Sequence, residues 1–399
     1  MASVPVCSIH FQEKILLIFV IHILKNTGKT RNDLYEFFAL LRAGLWEREL
    51  NNLYLDTVDL AKLNQLANEQ AVVGLVAAGL DYTRGLNLPK DKILTFVGYA
   101  LQVEQRNKLM NQFVAKIIRE MQEKGISVLL VKGQGIAQCY ENPLWRMCGD
   151  VDLLLDKINY EKAKQFLIPK ASIVGTEIID ELHIGLTIES WEVELHGTLH
   201  SELSFKIDRQ LDEIQNFVLS KGRVRTWQNG DVNVSLPDPN EDVIFVFVHI
   251  LQHFYKGGIG LKQICDWSRL LWTYRESIDT SLLEERLHSM KLMSEWRAFA
   301  AFAIKYLGLP IEAVPLRSES DRWKLKADKI CSFIIDVGNF GQNRDSSYIC
   351  KKTYIRRKLI SFWRRCKDLI HHAQIFPLDS FRFLPSITFN GLRSAIRGE

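Results

Sequence analysis

Long apolar runs are missing from this 399-residue chain. Ile15 to Leu24 is the apolar run near its start, and it falls well short of the roughly 20 residues that a membrane-crossing helix needs. Its flanks do not read as a secretory leader: Glu13 and Lys14 precede it, Lys25 to Arg31 is basic and polar, and no small-residue cleavage site follows. Residues 1–32 are therefore set apart as a poorly defined extension, with no transmembrane helix. The seven cysteines (7, 139, 148, 265, 331, 350 and 366) form no CxxC pair and no zinc-ligand spacing. That excludes zinc fingers and dithiol redox motifs, and the thiols read as those of a reducing cytoplasm. A net charge of +4 is too small to argue for nucleic acid by itself.

What is present is an ordinary globular composition on a chain long enough for two or three packed modules. Residues 33–125 carry a helical period. Asp56-Thr57-Val58-Asp59 offers cap-type residues to one helix, and an Ala/Leu/Val-rich helix follows through Leu80. From Val103 to Lys124, Leu109, Met110, Phe113, Val114, Ile117, Ile118 and Met121 recur at three- and four-residue steps, and Gly125 ends the helix. This block is expected to pack on a sheet and cover one side of a cleft.

The sheet is expected over 126–236. An apolar strand, Ile126 to Val131, runs into Lys132-Gly133-Gln134-Gly135, where glycine permits a sharp turn and close approach to a phosphate. A short helix and Arg146 follow, then a strand beginning Asp150-Val151-Asp152-Leu153. Strand side chains alternate faces, so Asp150 and Asp152 point one way while Val151 and Leu153 pack behind. Two carboxylates from one strand edge make a hard-oxygen site for Mg²⁺ or Mn²⁺ carrying phosphates. Lys132 and Arg146, a point charge and a bidentate fork, suit such a ligand. Further on, Glu189-Ser190 separates two short strands, and Glu192, Glu194 and His196 share one face of the second. His183 lies opposite on the partner strand. A late strand, Gly230 to Pro237, closes the module.

Val131-Lys132-Gly133, Arg146 and Gly149-Asp150-Val151-Asp152 resemble the nucleotidyltransferase superfamily that includes DNA polymerase beta, and within it a branch of uncharacterised bacterial members. The resemblance covers roughly residues 100–275 and implies an α+β fold: a small mixed sheet flanked by amino- and carboxy-terminal helical modules. It implies that Asp150 and Asp152 are metal ligands and that a third carboxylate comes from a later strand. Glu194, in a carboxylate-x-His strand with His196, is the choice for that ligand or for a base, with Glu192 its rival. The turn departs from the family's Gly-Gly or Gly-Ser, so the serine's phosphate contact passes to Lys132 or Gln134. A recurring His and Asp pattern in the next helical region makes His249 and Asp266 candidate cleft residues, beside His183 and His196.

Residues 237–345 return to helix. His249 and His253, at i and i+4, have zinc spacing, but Ile250 stands where a zinc protease has glutamate. Gly257-Gly258-Ile259-Gly260 lacks P-loop spacing and reads either as a helix–helix turn or as a phosphate site at a helix start. Residues 346–399 are basic: Lys351, Lys352, Arg356, Arg357, Lys358, Arg364 and Arg365 lie among Tyr354, Phe362 and Trp363. This pattern suits either a solvated helix face or contact with an anionic surface, and no nucleic-acid motif accompanies it. The expected activity is metal-dependent transfer of a nucleoside monophosphate from an NTP to an unidentified hydroxyl acceptor. Two alternatives stay open: a non-catalytic nucleotide-binding accessory of a polysaccharide or peptide-modification system, and a nucleotide-sugar glycosyltransferase using the Asp-x-Asp.

Overall fold

The computed structural model describes residues 31–50, 59–83, 90–221, 223–343 and 367–397. The extension up to residue 30, the Asp56–Val58 start signal and the basic stretch Lys351–Arg365 lie outside the described residues. The chain opens with α1 (Arg31–Trp46), α2 (Leu60–Glu69), α3 (Val73–Asp81) and the long α4 (Lys90–Glu123). Asp59 caps α2 by accepting from the N–H groups of Ala61 and Lys62, and the chain turns at Gln70–Val72 before α3.

The sheet segment follows: β1 (Leu129–Val131), the short α5 (Gly133–Ala137), β2 (Asp150–Leu154), α6 (Lys157–Leu167), β3 (Ile173–Val174), β4 (His183–Ile188), β5 (Trp191–His196) and α7 (Phe205–Lys221). The five strands lie in the order β1-β2-β5-β4-β3. β2 and β5 are parallel neighbours, and the other pairs are antiparallel. The connection between β2 and β5 passes through α6 and two further strands, the long crossover that a parallel pair requires. β4 and β5 are joined by a two-residue turn. Glu189 and Ser190 both have positive φ, 50° and 69°, the sense of twist that suits a tight hairpin although neither is glycine.

The late strand belongs elsewhere than expected. β7 (Val232–Pro237) pairs with β6 (Val224–Asn229) in a separate hairpin whose inner face, Val232, Val234 and Leu236, enters the core under the sheet. Helices complete the structure: α8 (Pro239–Lys256), α9 (Leu261–Thr273), α10 (Thr280–Met290), α11 (Met293–Phe302) and α12 (Asp321–Val337), with helical residues 367–375 and Pro377–Arg397 beyond. The architecture is α+β.

Two cores divide the apolar residues. One lies between the sheet and the second half of α4, where Met110, Phe113, Val114, Ile117, Ile118 and Met121 are buried as their spacing predicts while Leu109 is exposed. The other unites α1, α2 and α3 with α8 through α12. α1 to α3 are therefore packed into the later helices, while the second half of α4 lies on the sheet. Glycine sets the closeness of this packing. A Cβ on Gly44 would lie 1.9 Å from the Leu75 carbonyl oxygen, and one on Gly79 would lie 2.0 Å from that of Leu40, so α1 and α3 touch backbone to backbone.

Asn107 of α4 ties the helix to the β1–β2 connection. Its Nδ2 donates to the carbonyls of Leu144 and Arg146 at 2.7 and 2.8 Å, and its Oδ1 accepts from Gln134 Nε2 at 2.9 Å. The bonds to Arg146 and Gln134 are buried and that to Leu144 partly so, so replacement by an apolar side chain removes the partner of three polar groups. Asn107→Leu should lower unfolding free energy by about 2–4 kcal/mol in urea titrations; a loss below about 0.5 kcal/mol would show that the clamp carries little.

Candidate active site

The site begins where β1 ends. Lys132 adopts φ 56°, ψ −144°, a conformation costly for a residue with a side chain, and Gly133 follows at φ 39°. This turn sends the Lys132 ammonium back across the sheet edge to Asp152 Oδ1, 3.0 Å away. It also seats Gly133 against the start of β2, where a Cβ would meet Cys148 Sγ at 3.3 Å. Alternation along β2 works as expected: Val151 and Leu153 are buried in the core while Asp150 and Asp152 line a cavity. The parallel register sets Asp152 beside Glu194 and Asp150 beside Glu192.

The cavity measures about 420 Å³. Lys132, Gly133, Arg146, Asp150, Asp152, Glu194, His183, His196, His249 and Asp266, all named from the sequence, lie on its wall. Glu192 does not; it is exposed and accepts from Thr187 Oγ1 at 3.0 Å. Gln134 does not either. Its amide donates to Asn107 and its side chain is buried against α4, away from the cavity. Gly135 packs against Leu236.

A lysine and a histidine meet Asp152. His196 Nε2 lies 2.9 Å from Asp152 Oδ1 and 3.3 Å from Glu194 Oε2, bridging adjacent strands. His183 approaches Glu194 at 3.4 Å and stacks on His196 with ring centroids 4.8 Å apart. Burial opposes the Asp152 charge, but Lys132 and His196 outweigh it and hold the carboxyl below its ordinary value. Hydrogen bonds from His183 and His196 hold Glu194 well below the carboxylate range. Burial would lower His196, yet its bonds to Asp152 and Glu194 raise it. Asp150 behaves oppositely: the charge of Asp152 foremost, then burial, pushes its carboxyl up, and Lys262 counters.

This arrangement bears on a divalent ion in two ways. Negative charge converges on Asp150 from Asp152 and Glu194, as hard-oxygen ligands waiting for a cation would arrange it. In addition, ligand atoms of His183, Glu194 and His196 lie within 4.8 Å of one another, a mixed nitrogen–oxygen set open to Mn²⁺ as well as Mg²⁺-type carboxylate ligation. The donors fit such an ion.

Arg146 is placed differently from a free phosphate clamp. Its Nε and Nη2 grip Asp266 at 3.0 and 2.6 Å, and Tyr140 donates to the same carboxylate at 2.7 Å. Two residues taken separately from the sequence thus form one buried ion pair that ties the β2 approach to α9. His249 and His253 face the cavity in a T-shaped pair, 4.4 Å between centroids. Burial and the nearby Lys132 charge hold both neutral, His253 down to about 4. Among the described residues no third donor joins them within ligand reach. The glycine stretch before α9 is a helix–helix turn: the N–H groups of Leu261 and Lys262 already donate to Gln70, through its Oε1 and its carbonyl, at 3.1 and 3.3 Å.

Sequence reasoning missed Lys262, Glu181, His200, Glu202 and Phe340 on the cavity wall. For Lys262 a signal existed, since it precedes Asp266 by one helical turn and shares its face. The others arrive on irregular segments, where no period marks the inward side.

Because Asp150 holds its proton more tightly folded than unfolded, stability falls as pH rises from about 3.8 through its raised folded value. Asp150→Asn should therefore raise the metal-free melting temperature at pH 7 and flatten this decline, measured by melts between pH 4 and 8 in chelator. A variant less stable than the parent at pH 7 would refute the charge crowding.

A family model described as an uncharacterised nucleotidyltransferase matches residues 56–308, a span holding every site residue named above from Lys132 to Asp266. No curated protein and no solved structure matches the chain. With well over half its length matched and a carboxylate-lined cavity inside the match, the chain belongs to this family of uncharacterised nucleotidyltransferases, enzymes of the transferase class that move a nucleoside monophosphate.

Proposed function

We propose that the protein transfers a nucleoside monophosphate from an NTP to a hydroxyl acceptor, with Mg²⁺ or Mn²⁺ held by Asp150, Asp152 and Glu194. The observation that carries this is the register: Asp152 and Glu194 are paired positions on adjacent parallel strands, with Asp150 two residues away on the same face. All three open on one cavity of about 420 Å³, within the range of small-molecule sites. The ion, when bound, supplies charge to the triphosphate oxygens and sharpens the attacking hydroxyl.

The chain's own groups divide the remaining work. Lys132 keeps Asp152 ionised, and its pairing is strong enough that the charges of Asp152 and Glu194 raise the lysine against burial. His196 holds the two carboxylates at a fixed separation across the strands. Glu194, so strongly stabilised as an anion, is a poor proton acceptor, which favours a ligand role over that of general base. The Gly133 backbone offers close approach for a phosphate at the turn. His249 and His253, neutral, give the opposite wall hydrogen-bonding groups without charge. Walls that exclude water strengthen each of these interactions.

The test is pyrophosphate release from each NTP with Mg²⁺ or Mn²⁺ across a panel of hydroxyl acceptors. Asp152→Ala, checked for folding by circular dichroism, should lower the rate by about 10³-fold or more, since removing a metal ligand forfeits several kcal/mol of transition-state stabilisation. An unchanged rate would sink the assignment. Tight NTP binding by the wild type without turnover would point to the accessory role.

A further inference from the structure

Three cations line the cavity among the described residues: Lys132, Arg146 and Lys262. Two of them are committed. Lys132 is held by Asp152, and Arg146 is locked in its two-point contact with Asp266. Lys262 is half-buried, and among the described residues its ammonium makes no hydrogen bond or ion pair.

Its base, by contrast, is fixed. Lys262 is the second residue of α9, and the start of that helix is tied to α2 through the buried Gln70, whose side chain and carbonyl take the Leu261 and Lys262 N–H groups. Gln70 also donates to the Ile334 carbonyl at 3.1 Å, so α2, α9 and α12 meet at one rigid point. A lysine with an anchored stem and an unpaired head is thus presented to the cavity from the helical layer, across from the carboxylates on the sheet. Its charge reaches Asp150 more strongly than that of Lys132 does, and it is also felt at Cys148, His249 and His253. Lys262 thus lines the same cavity as Asp150 and the two neutral histidines.

We propose that Lys262 binds the polyphosphate of the nucleotide, while Lys132, the cation nearest the turn, serves Asp152 instead. A compact ammonium suits non-bridging phosphate oxygens, and a half-buried unpaired cation gains most from an anionic ligand. The assignment rests on the nucleotide reading above and refines it, because it makes the helical layer and the sheet two jaws on one triphosphate. Lys262 is a binding residue here, and no proton transfer is asked of it.

Isothermal titration calorimetry with Mg²⁺ can decide it, using a non-hydrolysable NTP analogue, the NDP and the NMP against wild type, Lys262→Met and Lys262→Arg. The methionine variant should bind the NTP analogue about 10- to 100-fold more weakly, the size of one charged hydrogen bond. It should bind NMP as the wild type does, so the affinity gained with added phosphates disappears. Arginine should restore most of that gain, and circular dichroism should show both variants folded. If wild type binds the analogue and Lys262→Met binds it equally well, the Lys262 assignment is overturned while the nucleotide reading stands. If wild type itself binds no nucleotide, the nucleotide reading falls and this refinement falls with it.

Discussion

A carboxylate with almost no solvent access, Asp152, sits at the centre of this molecule, and the rest of the site is arranged around keeping it charged. An isolated carboxylate in that position would take up a proton rather than bear the desolvation. Lys132 and His196 prevent this from two directions, one by way of a strained turn, the other from the next strand. The unusual backbone at Lys132 is intelligible on these terms. An ordinary conformation would send the side chain elsewhere, and the local cost of about 1–3 kcal/mol is offset by the pairing it makes available. Asp150, lacking such support, is the carboxyl on which repulsion accumulates.

That asymmetry between two residues of one Asp-x-Asp has chemical content. One carboxylate is held below its ordinary value by its neighbours, while the other is pushed up by them and gains from any positive charge that arrives. Stored electrostatic tension of this kind is a common property of functional sites, which trade stability for readiness to bind. The His196 bridge between Asp152 and Glu194 extends the same logic across strands, since one imidazole sets the spacing of two ligands that belong to different elements.

Much of this was legible in the sequence, and the reasons are specific. Period-two alternation placed Asp150 and Asp152 on one face and Val151 and Leu153 on the other, and the turn at Glu189-Ser190 set His183 opposite Glu194 and His196. That Glu194 belongs beside the two aspartates came from the family resemblance, because the parallel pairing of β2 with β5 is not local. The Arg146–Asp266 pair was not legible as a pair: each residue was drawn to the cleft, but two buried charges far apart in sequence reveal their partnership only after packing. Gln134 went astray for a related reason, since a turn glutamine reads as a phosphate donor until Asn107, on a helix that the motif does not include, claims its amide. Of the amino-terminal block assigned to the sheet, α4 lies there and α1 to α3 do not, because amphipathic helices declare that they have an inner face without declaring what it meets.

The core shared by α1 to α3 and α8 to α12 also has a consequence for biosynthesis. Phe38 packs on Tyr306 and Trp46 donates to the Leu307 carbonyl, with the whole sheet segment synthesised in between. At ordinary elongation speeds the first helices wait about 10–40 s for those partners to leave the ribosome. Over that interval an apolar surface of several helices is exposed, while the sheet segment can complete its own hairpins. The nascent chain thus passes through a state in which α1 to α3 pack on one another but lack the later half of their core, and a chaperone that shields these helices would act on this protein before any that recognises the finished fold.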